Sequence, residues 1–100
     1  MIIMNFEKEF EYAKFKVMEN TFDVLANIAA HGSSKTYDYR ASMKSFKKFQ
    51  NLKQTYGCIK EFANHLYNIS KYFTVRENAD RVKQIARQLN SFAESYSMLL

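Results

Sequence analysis

The chain has 100 residues, of which 47% are hydrophobic and 16% aromatic, with two glycines, no proline and one cysteine. That is enough for one packed core, too short for two independent domains and too apolar for a disordered chain. An all-β domain, which needs a turn signal about every 8–12 residues, is excluded, as is an internal disulfide, and the net charge of +5 directs attention to polyanionic or acidic partners.

The opening "MIIM" is apolar, but Glu7, Lys8 and Glu9 follow at once. It is too short for a secretion signal or a membrane span, so a cytoplasmic protein without membrane association is expected. Residues 5–30 predict the first helix, with Asn5 as N-cap. One stripe holds Phe6, Phe10, Ala13, Val17, Val24 and Ile28, and a second beside it holds Phe15, Met18, Phe22, Leu25 and Ala29. Together they span an arc of about 200°, wider than one neighbour covers, so this helix should meet two helices, or one helix and a second subunit. His31-Gly32 reads as its stop, and "SSKT" offers N-caps at Ser33, Ser34 or Thr36.

A second helical segment is expected from Tyr37 to Thr55, with Tyr39, Met43, Phe46, Phe49 and Tyr56 on its apolar side. Gly57 either ends it or is tolerated within one long helix reaching Tyr72, because Ile59, Phe62, Leu66, Ile69 and Phe73 continue the helical spacing. Thr74-Val75-Arg76-Glu77 fits a capping box that opens the last helix. There, Val82, Ile85, Leu89, Phe92, Tyr96 and Leu99 alternate steps of three and four, flanked by Ala79, Ala86 and Ala93. This pattern predicts a core helix of a bundle or a seam between subunits. The expected fold is all-α, a single domain over residues 1–100 built as a small bundle of three long or four helices. Dimerisation would complete it, with Phe15, Met18, Phe22, Val82, Ile85, Leu89 and Phe92 as interface candidates.

The charge is unevenly distributed. Residues 1–38 carry net −2, residues 61–100 net +1, and residues 39–60 net +6 with no acidic residue. On a helix, Arg40, Lys47 and Lys48 fall within about 60° of Lys44, opposite Tyr39, Met43, Phe46 and Phe49. Like charges three or four residues apart repel, and glutamates that would relieve them are missing. Arg40 to Lys48 spans about 12 Å, comparable with two or three phosphates on one strand. Arg40, Lys44, Lys47, Lys48, Lys53 and Lys60 are therefore the candidate nucleic-acid contacts. Tyr37 and Tyr39 are candidates for stacking on unpaired bases.

The stretch "IKEFANHLYNISKYFTVRENADRV", residues 59–82, resembles a helix-turn-helix at its middle. Ala63 stands at the small position, Leu66 follows, "NIS" forms the turn and "TVREN" opens the second helix. It departs from that motif at Tyr67, where glycine is preferred, and at Phe73, which lengthens the connection. The resemblance implies that Thr74, Arg76, Asn78 and Lys83 face the major groove.

No catalytic constellation is legible. Cys58 and His65 are about 10 Å apart along a helix axis, and neither they nor His31 show zinc-ligand spacing. Glu7, Glu9 and Glu11 scatter around their helix, and no phosphate-binding glycine loop is found. A non-enzyme without cofactor, metal or small-molecule substrate is expected. The leading expectation is a small basic helical regulator that binds nucleic acid or a nucleoprotein. The alternative is a protein-binding inhibitor, immunity-type protein or adaptor, of a kind suited to a phage or mobile element, facing an acidic partner.

Overall fold

In the computed structural model, the backbone is described for residues 2–31 and 35–99 and the side chains for residues 8–31 and 35–95. Four helices follow in order: α1 (Ile2–His31), α2 (Tyr37–Gln50), α3 (Tyr56–Ser70) and α4 (Arg76–Leu99). No strand occurs among the described residues, and the all-α bundle has four helices. Sequential neighbours run antiparallel. Phe22 of α1 meets Phe46 of α2, Phe49 of α2 meets Phe62 of α3, and Lys60 of α3 meets Glu94 of α4. Phe10 of α1 then stacks on Phe92 of α4, with ring centroids 5.2 Å apart.

The core sits where the helical spacing places it. Leu25 and Ile28 of α1, Ile59, Phe62 and Leu66 of α3, and Val82, Ile85, Leu89 and Phe92 of α4 are buried together. Ala63, Ala86 and Ala93 are buried with them, and their small side chains let α3 and α4 approach closely. Val82, Ile85, Leu89 and Phe92, the interface candidates of α4, are thus packed against α1 and α3 of the same chain. The wide arc of α1 is met by α2 and α4, its two neighbours. Met18 packs against the core and Phe22 lies on Phe46, whereas Phe15 is 59% exposed.

α2 contributes differently. Its fully buried residues are Asp38, Ser42 and Ser45, four and three residues apart on one line, with Phe46 and Phe49 only partly covered beside them. It behaves as a polar-backed lid on a core made by the other three helices.

Several boundaries differ from the expected ones. α1 begins at Ile2, so Asn5 is inside the helix rather than its cap. Gly32, Ser33 and Ser34 lie outside the described residues, and Thr36 caps α2 by accepting the Tyr39 N–H. The middle segment breaks before Gly57, at residues 51–55. The Asn51 N–H bonds back to the Lys48 and Phe49 carbonyls, and the Thr55 hydroxyl caps α3 through the Cys58 N–H. Gly57 therefore sits in the first turn of α3, without a positive φ and with nothing within 4 Å of the place a Cβ would take. Gly57→Ala is expected to raise stability by about 0.5–1 kcal/mol, read as a higher urea midpoint at unchanged slope.

The connection from α3 to α4 is held from a distance. The Asp38 carboxylate, 2% exposed, accepts from the Thr74 N–H at 2.7 Å, the Thr74 hydroxyl, the Val75 N–H and the Asn78 amide. Burial pushes this carboxyl up, but the Thr74 amide, the Asn78 side chain, the Val75 amide and the Thr74 hydroxyl together outweigh it, leaving it below its ordinary 3.8. The helix opens at Arg76 rather than Val75, and the Thr74 hydroxyl serves Asp38 instead of closing a capping box with Glu77.

The helix-turn-helix resemblance fails at the same place. That motif crosses its helices at roughly 90–120°. Here α3 and α4 run side by side in opposite directions, with Lys60 near the start of one bonded to Glu94 near the end of the other. Thr74 and Asn78 are occupied by Asp38 and are not free to read bases.

Candidate nucleic-acid interface

Because Asp38, Ser42 and Ser45 point inward, the opposite line of α2 must point outward. Arg40, Lys44, Lys47 and Lys48 are all exposed, and so is Lys53 in the connection to α3. Among the described residues, ion pairs join Lys16 to Glu19 and Lys60 to Glu94, and none involves these five. Lys60 does not join the group. It lies on α3, donates to Glu94 and to the Tyr56 hydroxyl, and the Glu94 hydrogen bond, then that to Tyr56, raises its pKa above 10.5. Its charge is neutralised toward α4.

Beside the basic row, α2 and α3 pack less closely than the other sequential neighbours, and a cleft of about 310 Å³ opens between them. Its walls are Tyr37, Arg40, Ala41, Lys44 and Ser45 of α2 and His65 and Ile69 of α3. The half-buried His65 places Nε2 3.1 Å from the buried Ser45 hydroxyl. Burial, then the charges of Lys48 and Lys44, hold the imidazole below its ordinary 6.5. Those two lysines thus act on His65 from across the cleft.

The sign of the effect on stability follows. A depressed histidine pKa means that the unfolded chain takes the proton first, so stability is complete above about pH 6.5 and falls as pH drops below it. Asp38 adds a second loss below 3.8, again as pH falls. Urea midpoints compared at pH 8 and pH 5.5 should show the first loss, and His65→Gln should flatten it.

At the end of the cleft, Tyr37 makes edge contacts with Tyr72, at 6.2 Å between centroids, and with Phe73, at 5.9 Å. Tyr72 is 69% exposed, whereas Tyr39 is half-buried on α2. The spacing of the sequence marks Tyr37 but not Tyr72, which follows α3 in a turn and reaches Tyr37 only through the fold.

A second feature lies on another side. The first half of α1 and the last half of α4 extend past the two shorter helices, and a groove of about 880 Å³ runs between them, over Phe10, Ala13, Val17, Gln88 and Phe92. Exposed Tyr12 and Phe15 belong to the same half of α1. Among the described residues, no group of three or more His, Cys, Asp or Glu side chains could hold a metal, and no helix is long and apolar enough to cross a membrane. No protein-family model matches the chain, and no curated protein or solved structure matches it.

Proposed function

We propose that the protein is a non-catalytic regulator that binds nucleic acid, free or within a nucleoprotein, through the outward face of α2. One observation carries this reading. Four cations, Arg40, Lys44, Lys47 and Lys48, share one exposed helix face and form no ion pair with any described residue. Such a row carries a repulsion that neighbouring carboxylates would relieve, and a line of phosphates relieves it equally well. A gel-shift panel of duplex DNA, single-stranded DNA and RNA at two salt concentrations tests the reading. Retardation at low salt that weakens at high salt is the expected result, and no retardation of any oligonucleotide at low salt contradicts it.

A second reading has its own support in the α1–α4 groove and the exposed Tyr12 and Phe15. In it the protein is an inhibitor or adaptor that meets an acidic protein through the basic face and α1. It requires recovery of an acidic protein in a pull-down, and no oligonucleotide binding at physiological salt.

A further inference from the structure

The exposed aromatic beside the basic row narrows the class of nucleic acid. On α2, Tyr37, Ala41, Lys44 and Lys48 recur every three or four residues, so they form one stripe along the helix. On α3, His65 and Ile69 form the facing wall, and Tyr72, in the turn that follows, lies against Tyr37. The result is a trough with two chemically distinct parts. One end is an aromatic pair with a largely exposed outer ring, and the rest is lined by Arg40 and Lys44, with Lys48 beyond. From Tyr37 to Lys48 is about 16 Å along the helix, room for a short run of nucleotides.

Resting on the nucleic-acid reading, we infer that this trough is a site for a single-stranded polynucleotide, in which an unpaired base stacks on Tyr72 while the adjoining phosphates follow Arg40, Lys44 and Lys48. A duplex satisfies only half of this arrangement. Its phosphates can meet the lysines, but its bases are stacked inside and cannot reach an aromatic ring on a protein surface. Tyr72 can offer ring surface to an unpaired base, because it meets Tyr37 only through an edge contact at 66° and is 69% exposed. The Tyr37–Phe73 contact anchors that neighbour in the fold, so the platform is formed before a ligand arrives. Stacking is tolerant of base identity, and phosphate contact carries no sequence information, so the site should bind with little sequence preference. The shared chemistry is an unpaired base followed by phosphodiesters, which either single-stranded DNA or RNA supplies.

The chain contains no tryptophan, so Tyr72→Trp places a single indole reporter on the platform. Fluorescein-labelled single-stranded DNA, RNA and duplex DNA of equal length are titrated against the wild type, Tyr72→Ala, Tyr72→Phe, and Lys44→Glu combined with Lys48→Glu. Affinity for at least one single strand should fall roughly ten-fold or more in Tyr72→Ala and recover in Tyr72→Phe, with duplex affinity unchanged. The indole of Tyr72→Trp should be quenched by that single strand and not by the duplex. Which of DNA and RNA responds identifies the source of the strand. If Tyr72→Ala leaves single-strand affinity unaltered while the lysine double variant loses it, the stacking site is overturned and the basic-face reading stands. If the wild type binds no oligonucleotide, both are overturned.

Discussion

Replacing Asp38 by alanine is expected to cost about 3 kcal/mol of folding stability and to lower the melting temperature by roughly 15–20 °C. The carboxylate is buried and accepts four hydrogen bonds from three residues on the far side of the fold, two of them from backbone N–H groups just ahead of α4. Hydrogen bonds to a charged group contribute about 1.5–3 kcal/mol each when intact. Water can replace part of them here, because Thr74 and Val75 are themselves exposed, which keeps the expected loss below the full sum. Negative charge ahead of α4 also interacts favourably with the helix dipole. Asp38→Asn should fall between the two, since an amide keeps one acceptor but turns a donor toward the Val75 N–H and Asn78. Chemical denaturation at pH 7 measures the loss. The alanine variant should also lack the part of the acid destabilisation that Asp38 is expected to give the wild type as pH falls below 3.8, the ordinary value of this carboxyl. A loss under about 1 kcal/mol would mean that the carboxylate is not what joins α2 to the start of α4.

The second large effect is on binding and leaves the fold intact. Lys44→Glu combined with Lys48→Glu should lower affinity for every oligonucleotide by at least about a hundred-fold at low salt, irrespective of sequence, because the contacts removed are to phosphates. Stability should hold or rise by a few tenths of a kcal/mol, since both side chains are exposed and each glutamate turns a repulsion with Arg40 or Lys47 into an attraction, while the two glutamates repel each other as the lysines did. The substitutions also remove the two charges that help to depress His65. The imidazole pKa, followed by proton NMR, should therefore move upward in the same variant, an independent check on where those lysines lie. Lys60→Gln is the matched control. That ammonium is engaged by Glu94 and Tyr56, so binding should be unchanged.

How much of this was legible in the sequence depends on whether the information is local. The stripe of α4 was readable because Val82, Ile85, Leu89 and Phe92 repeat at helical spacing, and the flanking alanines announced the close approach of another helix. The exposure of Arg40, Lys44, Lys47 and Lys48 was readable for the same reason, since helix geometry alone sets them opposite Phe46 and Phe49. What spacing does not supply is the identity of the neighbour. The same stripe on α4 serves a subunit seam or an internal core, and only the positions of α1 and α3 decide for the latter.

Asp38 stands 36 residues from Thr74, and in the sequence it enters only the net charge of residues 1–38. A usable signal was present, because Asp38 lies on the same helical line as Ser42 and Ser45, a polar stripe beside an aromatic one. Lys60 illustrates the converse. Composition groups it with the other lysines, yet its helix carries it to Glu94. Gly57 drew the helix break toward itself, whereas the Thr55 cap, a weaker signal on its face, marks where α3 opens. The helix-turn-helix likeness arose because a short polar turn followed by a Thr-Val-Arg-Glu start serves an antiparallel hairpin equally well; the crossing angle is a property of the packed pair.

The most direct test of the basic face is the salt dependence of oligonucleotide affinity, measured by fluorescence anisotropy across a series of salt concentrations. If Arg40, Lys44, Lys47 and Lys48 each neutralise a phosphate, a plot of log affinity against log salt for a single strand should have a slope of about −3, falling by roughly 1–2 when Lys44 and Lys48 are changed to glutamine. A slope near zero, or one that the two glutamines leave unchanged, would contradict the assignment of this face to a polyanion.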